Sequence, residues 1–426
     1  MSEELPRDAR IWRARVLITT WLSYAGFYFC RKNFAIVKSS VMESMQISTE
    51  DVAHIFTAYL FAYMLGQFAT SYLGRRLPTR RLLLGGMALT VGCNLAFGLC
   101  YLVGPAGYQP MVLLMVINGF AQAVGWPGNV GVLSNWLRRR ERGRVMAVWA
   151  TSYQLGSIMA KVFAAFMLGV AGALWSFWGA AAVMAVVWVV FLLFERDHPE
   201  DVGLGPIVRF RSGDVDTPVS GGLFEGWSRD ITLTVIFMGS CYFVFKFLRY
   251  SLDSWSPLAI ERLFDIDEEE AGYISTSFDW VGFLGVLFAG WLSDRHFAGR
   301  RYQTIQLMTV GMLLAFVFLV VVSLDSVWLF GVGLSLCGFM LMGPDSLIAG
   351  VGAIDVGGRR GAVTAAGIIN GLGSIGPILQ EEIIGWMLAH DQGYGSAFSV
   401  LLAVSFLGIF GTAYLTARAR NDRSPL

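Results

Sequence analysis

The chain has 426 residues, 55% of them hydrophobic, with a net charge of +1 and a mean hydropathy of +0.57. A water-soluble protein of this length would not carry apolar runs of about 20 residues along nearly all of it, so that class is excluded. The near-zero net charge selects no partner, and none is expected among nucleic acids.

The runs fall at 16–37, 52–73, 82–103, 111–137, 145–170 and 173–194, then at 231–260, 271–293, 303–323, 326–356, 361–388 and 395–415. Read as twelve transmembrane helices, they give an all-α membrane protein of two six-helix bundles, residues 1–194 and 231–426. Between them, 195–230 is rich in Gly, Pro, Asp and Arg and is expected to be a cytoplasmic linker. The first 15 residues are charged, and Arg31-Lys32 follows deep in the first run, so that run is expected to be an uncleaved span.

Charge placement sets the expected orientation. Of 32 Lys and Arg, 25 lie at the N-terminus, in the linker or after even-numbered runs. Only Lys38 and Arg262 lie on the opposite side, and five cations (Arg31, Lys32, Lys161, Lys246 and Arg249) lie within runs. By the positive-inside rule both termini and the linker face the cytoplasm, in a multi-pass protein of the plasma membrane, expected to be bacterial.

The halves echo each other. Run 8 ends in Gly290-Trp-Leu-Ser-Asp-Arg-His-Phe-Ala-Gly-Arg-Arg301, and run 2 ends in a weaker copy, Ser71 to Arg81, where Gly74 replaces the acid. Run 4 leads to Arg142-Gly143, and run 10 to Arg360-Gly361. Two parallel repeats are the architecture of an alternating-access carrier. Asp294, with Arg295, Arg301 and Arg142 as its basic surroundings, is read as a cytoplasmic clasp: the acid accepts from a helix N-terminus or pairs with a loop arginine.

Other chemistries lack their residues. Gly371-Leu-Gly373-Ser-Ile-Gly376 follows no strand and reads as helix packing. There is no phosphate-binding loop of the nucleoside triphosphatase kind. The four histidines do not cluster, the five cysteines have no metal-ligand spacing, and no nucleophile stands beside a base. An enzyme, a metal and a cofactor are therefore not expected.

Arg31 and Arg249 carry the functional reading. Arg31 lies 15 residues into run 1 and Arg249 lies 18 into run 7, so they sit at similar depth in the first helix of each half. An arginine near the bilayer centre costs roughly 2.5–3.5 kcal/mol on insertion scales. Two at matching depth point to a shared anionic ligand. Tyr24, Tyr28 and Arg31 follow at spacings of four and three and share a helix face, and a guanidinium flanked by phenols suits a tetrahedral oxyanion. Lys246 and Asp253 lie three before and four after Arg249. The alternative is structural, with Arg31 and Arg249 paired to Asp253, Asp279, Glu381 or Glu382. Lys32 and Lys246 either neutralise Asp253 or Asp279 or touch ligand. Lys161 and Asp345 are further intramembrane charges without an assigned role.

These residues also carry a resemblance. Tyr28-Phe-Cys-Arg-Lys-Asn-Phe34, Gly125-Trp-Pro127, Arg138 to Gly143, Asp201-Val-Gly-Leu204, Arg249-Tyr-Ser-Leu-Asp-Ser-Trp-Ser-Pro257, Gly290 to Arg301 and Gly343-Pro344 are similar to the organophosphate:phosphate antiporters of the major facilitator superfamily. The resemblance spans all twelve runs. It implies that Arg31 and Arg249 hold phosphate from the two halves, with Tyr24 and Tyr28 lining the site. Asp253 and Asp279 match family acids that pair with Lys32 or the arginines. Tyr153 falls where glycerol-3-phosphate carriers have a histidine, and Gly66-Gln67 falls near a lysine of some members, so the organic end of the ligand stays open.

The expected function is exchange of an organophosphate for inorganic phosphate by a monomeric carrier in the lipid bilayer. Two facing arginines repel when empty, and phosphate between them relieves that repulsion, so exchange is obligatory. The rivals are a transporter-like sugar-phosphate receptor signalling to a partner kinase and a carrier of another organic anion.

Overall fold

The computed structural model describes residues 6–73, 77–137, 142–205, 229–297, 301–348, 353–390 and 392–420. Among them the only regular secondary structure is helical. The first half holds α1 (Arg7–Ile36), α2 (Lys38–Met45), α3 (Thr49–Leu73), α4 (Thr79–Val103), α5 (Tyr108–Ala123), α6 (Gly125–Trp136), α7 (Arg142–Ala171) and α8 (Ala173–Phe194). The second holds α9 (Arg229–Phe264), α10 (Glu268–Ser275), α11 (Ser277–Arg295), α12 (Arg301–Val321), α13 (Val327–Leu347), α14 (Ala353–Ala389) and α15 (Gly393–Arg420). Among the described residues each apolar run lies almost wholly on helix, with two divisions that periodicity does not announce. Run 4 is divided at Val124 into α5 and α6, and the eighth span at Thr276 into α10 and α11.

Eight stretches among the described residues are long and apolar enough to cross a membrane, one of which, Thr79–Leu133, takes in α4, α5 and most of α6. α1, α3 and α14 are not among them. For α1 the reason is its chemistry: Arg31 and Lys32 interrupt the apolar stretch, and both are buried. Large apolar side chains on the outside, such as Val186, Leu193, Leu314 and Phe410, suit contact with lipid chains rather than water.

The chain divides into two compact units, Met1–Ile47 with Ile55–Pro218, and Ser48–His54 with Val219–Leu426. Their internal packing repeats. In the first unit α1 packs on α7 and α4 on α8; in the second α9 packs on α14 and α12 on α15. The correspondence extends to single glycines. A Cβ on Gly119 of α5 would meet the Tyr59 carbonyl oxygen of α3, and one on Gly338 of α13 would overlap the Phe278 carbonyl oxygen of α11. Bare backbone at these points lets the helices touch, which is how helices associate where no hydrophobic force drives them.

Residues after α8 pack on the first unit. The carboxylate of Asp197 accepts the α4 backbone N–H of Arg80 at 2.9 and 3.1 Å, and Trp136 Nε1 donates to the Arg196 carbonyl at 2.9 Å. Glu195, with no side-chain exposure, lies 3.3 Å from Arg80 Nε. Burial, reinforced by Asp197, pushes its carboxyl up to about 8 against the pull of Arg80.

Gly338→Leu is expected to lower the melting temperature in detergent by several degrees, from overpacking of about 1–3 kcal/mol. Gly92→Ala, with nothing within 4 Å, should not lower it. For Glu195 the folded pKa exceeds the ordinary 4.5, so the protonated form stabilises the fold. That contribution is complete below about 4.5 and lost as pH rises through about 8. The melting temperature should therefore fall between about pH 5 and about pH 9, and Glu195→Gln should reduce that fall.

Candidate functional site

In the first unit, α1 carries Tyr24, Tyr28, Arg31 and Lys32, all buried. The helical spacing predicted from sequence places the rings together. Tyr24 and Tyr28 meet edge to face at 5.7 Å, and the Arg31 guanidinium carbon is 5.0 Å from the Tyr28 ring centre. Tyr59 and Tyr63 of α3, four residues apart on their own helix, approach from another side at 5.8 and 4.6 Å. Cations over such rings gain about 0.5–2 kcal/mol each, depending on desolvation.

The guanidinium is oriented by Gln122 of α5, a residue that sequence reasoning missed. Arg31 Nε donates to Gln122 Oε1 at 3.0 Å, and Tyr59 donates its hydroxyl to the same oxygen at 3.1 Å. Gln122 Nε2 in turn donates to the Cys30 carbonyl at 3.1 Å and to Asn118 Oδ1 at 3.3 Å. Both lone pairs and both protons of the amide are thus used, which fixes its rotation. With Nε held from behind, Arg31 Nη2 is buried and makes no hydrogen bond. Among the described residues no carboxylate pairs with Arg31. The signal was present in the sequence: Asn118 and Gln122 stand four apart in an apolar run, as Tyr59 and Tyr63 do.

Around this centre Tyr24 also meets Trp126 of α6 and Trp149 of α7, at 5.3 and 5.7 Å. Tyr153, one turn beyond Trp149, is half-buried against the same core. Lys32 Nζ lies 5.9 Å from the Tyr28 ring centre.

In the second unit Arg249 is built differently. Its Nη1 pairs with Asp345 Oδ2 of α13 at 2.9 Å. Asp345 follows Pro344, a proline inside that helix, and its other oxygen makes no hydrogen bond. Asp345, an intramembrane acid without a role on sequence grounds, is thus a partner of Arg249. Lys246, one turn before Arg249 on α9, donates to Asn370 Oδ1 at 3.1 Å and Ser374 Oγ at 3.3 Å of α14, with the Tyr242 ring 4.9 Å away. Asp253 and Asp279 are both buried, at 7% and 3% exposure, where only a polar or charged environment holds a carboxylate. Glu381 accepts from Ser254 at 3.0 Å and Gln380 at 2.9 Å, and Glu382 lies 2.9 Å from His54 Nδ1. Of the expected clasp, Arg295 is exposed at the end of α11 and Arg301 opens α12, whereas the side chains of Asp294 and Arg142 lie outside the described residues.

A helical membrane protein with internally repeated packing and buried arginines is built like a carrier, and the comparisons agree. Residues 20–381 and 238–425 match the Major Facilitator Superfamily, and the chain belongs to that superfamily. It is 28% identical to the membrane sensor protein UhpC of Escherichia coli over 95% of this chain and 92% of that one. It is 26% identical to a probable hexose phosphate transport protein of Chlamydia muridarum, covering 96% and 91%. To the glycerol-3-phosphate transporter of Bacillus subtilis it is 27% identical, covering 93% and 92%. Among solved structures, the bacterial homologue of the human lysosomal transporter Spinster superposes with a TM-score of 0.72 at 14% identity, covering 96% and 97%. That likeness establishes the fold. The relatives bear out the resemblance to organophosphate:phosphate antiporters seen in the sequence.

Gln122→Glu keeps the acceptor for Arg31 Nε but loses the two N–H donors to Cys30 and Asn118, so the melting temperature is expected to fall by a few degrees while the fold persists. The new carboxylate should neutralise the guanidinium, so that any anion drawn to Arg31 is held at least about tenfold more weakly (~1.4 kcal/mol per tenfold). Equilibrium binding of labelled phosphate to purified wild type and variant, alongside their melting curves, measures both.

Proposed function

We propose that the chain is a secondary transporter that exchanges an organophosphate for inorganic phosphate by alternating access. Its place is the bacterial inner membrane, as a monomer with both termini cytoplasmic. Arg31 and Arg249 are the phosphate anchors of the first and second units. Tyr24, Tyr28, Tyr153, Lys32 and Lys246 line the ligand's path, and Asp253, Asp279, Asp294, Arg295, Arg301 and Arg142 serve pairing and gating. The observation that carries this reading is Arg31, whose buried guanidinium is aimed by Gln122 and has Nη2 unused. An arginine kept that way in an apolar interior is a demand for an anion.

The electrostatic argument changes in one respect. The expected repulsion between two bare arginines is reduced, because Asp345 already pairs with Arg249. The requirement for a counter-ion therefore rests on Arg31. At an effective dielectric of about 20 and a separation of ~4 Å, a phosphate charge is worth ~4 kcal/mol to that guanidinium. Phosphate or an organophosphate supplies it in turn, and reorientation of the empty carrier lacks it. Exchange follows without any coupling to ATP.

A second reading is favoured by one finding, the similarity to a protein described as a membrane sensor. A receptor of this build would bind sugar phosphate through the same arginines and report to a partner kinase.

Proteoliposome exchange separates the two. Vesicles loaded with phosphate should take up labelled phosphate rapidly, and empty vesicles should not. Equal uptake by both, with no membrane potential, would sink obligate exchange; tight binding with no flux would favour the receptor. Arg31→Lys and Arg249→Lys should each nearly abolish exchange while the protein still inserts, because lysine keeps the charge but loses the two-pronged match to phosphate.

A further inference from the structure

A polar cavity lies in the first unit, apart from the tyrosines and Arg31. Its volume is about 690 Å³, and its lining includes Pro78, Arg80, Arg81, Arg196, Asp197 and Asp201. The charges around it are unequally engaged. Asp197 is committed to the backbone N–H of Arg80, at 2.9 and 3.1 Å, so the start of α4 is already capped. Asp201 accepts from the backbone N–H of His198 at 2.9 Å. Arg80 is turned to Glu195 and to the Leu192 carbonyl. Arg196 gives Nη1 to the Glu195 carbonyl at 2.6 Å and lies 5.7 Å from the Trp12 ring centre, keeping its other donors. Arg81 is exposed at the first turn of α4. Both acids are held by backbone N–H groups, and the three arginines of the lining, Arg80, Arg81 and Arg196, outnumber them, leaving an excess of positive charge.

Position adds a second constraint. α4 begins at Thr79 and α8 ends at Phe194, so the cavity stands where two spans meet the polar layer of a bilayer. Leu77 of its lining is 45% exposed, and Leu193 and Phe194, the last two residues of α8, are 55% and 40% exposed. A soluble anion has no use for that rim. A lipid does, because its chains lie along the apolar side chains while its headgroup reaches the arginines.

We propose that this cavity docks the phosphate headgroup of an acidic membrane lipid, held by Arg81 and Arg196. Arginine suits the role, since its planar fork matches two phosphate oxygens and its weak hydration lowers the cost of leaving water. The assignment is independent of what the carrier moves.

The test uses the full chain, purified and returned to nanodiscs containing phosphatidylglycerol and phosphatidylcholine in equal amounts. Native mass spectrometry then counts the lipids that stay bound. Wild type should retain phosphatidylglycerol at least about tenfold over phosphatidylcholine, and the preference should fall as salt shortens the screening length from ~10 Å at 0.1 M toward ~3 Å at 1 M. R81Q/R196Q should lose the preference, and R81K/R196K should keep most of it. No preference in wild type at any salt would overturn the proposal, and this arm needs no variant. Full retention in a folded R81Q/R196Q would also overturn it. So would displacement of the lipid by millimolar glycerol phosphate as readily as by added phosphatidylglycerol, because the cavity would then belong to a soluble anion.

Discussion

A buried guanidinium that must be held without being neutralised organises the first unit. Neutralising Arg31 with a carboxylate would satisfy it and remove its attraction for an anion. Leaving it bare would cost several kcal/mol. The structure takes an intermediate course. A neutral amide, Gln122, accepts from Nε, and the faces of three tyrosines supply diffuse negative potential. Their placement explains why α3 and α5 must lie close to α1, and why α5 meets α3 at a glycine. A side chain at Gly119 would push apart the helices that carry Tyr59 and Gln122.

The second unit solves the same problem by a different means. Arg249 is given an acid, Asp345, and Lys246 is given the neutral oxygens of Asn370 and Ser374. The packing of the two units repeats, but the electrostatics do not. One proposed anchor is primed for an incoming charge and the other must share what it has. An anion arriving at Arg31 would meet an unneutralised guanidinium, whereas one arriving at Arg249 would compete with Asp345.

Much of this was legible in the sequence, and the reasons for the rest are physical. Hydrophobic length marked out the apolar helices, because bilayer thickness acts on each segment separately. Tyr24, Tyr28 and Arg31 were readable because they share one helix. Asp345 and Gln122 are polar residues in apolar runs, but nothing local pairs them with the arginines, because those partners lie 96 and 91 residues away and only tertiary packing selects them. The breaks at Val124 and Thr276 escaped for a related reason: apolar periodicity carries straight through them. Among the acids expected near the arginines, Glu381 takes hydrogen bonds from Ser254 and Gln380, contacts that no spacing encodes.

The aromatic cluster beside Arg31 has an optical consequence. Tyr24 lies 5.3 Å from Trp126 and 5.7 Å from Trp149, and the two indoles are 5.5 Å apart. Excited tyrosine at such range passes its energy to tryptophan, and coupled indoles respond to any change in local field. Trp149 is further fixed by its bond to Thr20 at 3.1 Å, so its emission has a stable reference geometry. Two of the chain's 14 tryptophans are thus coupled through Tyr24 to Tyr28, the ring that meets the Arg31 guanidinium, and their share of the emission reports on that ring cluster.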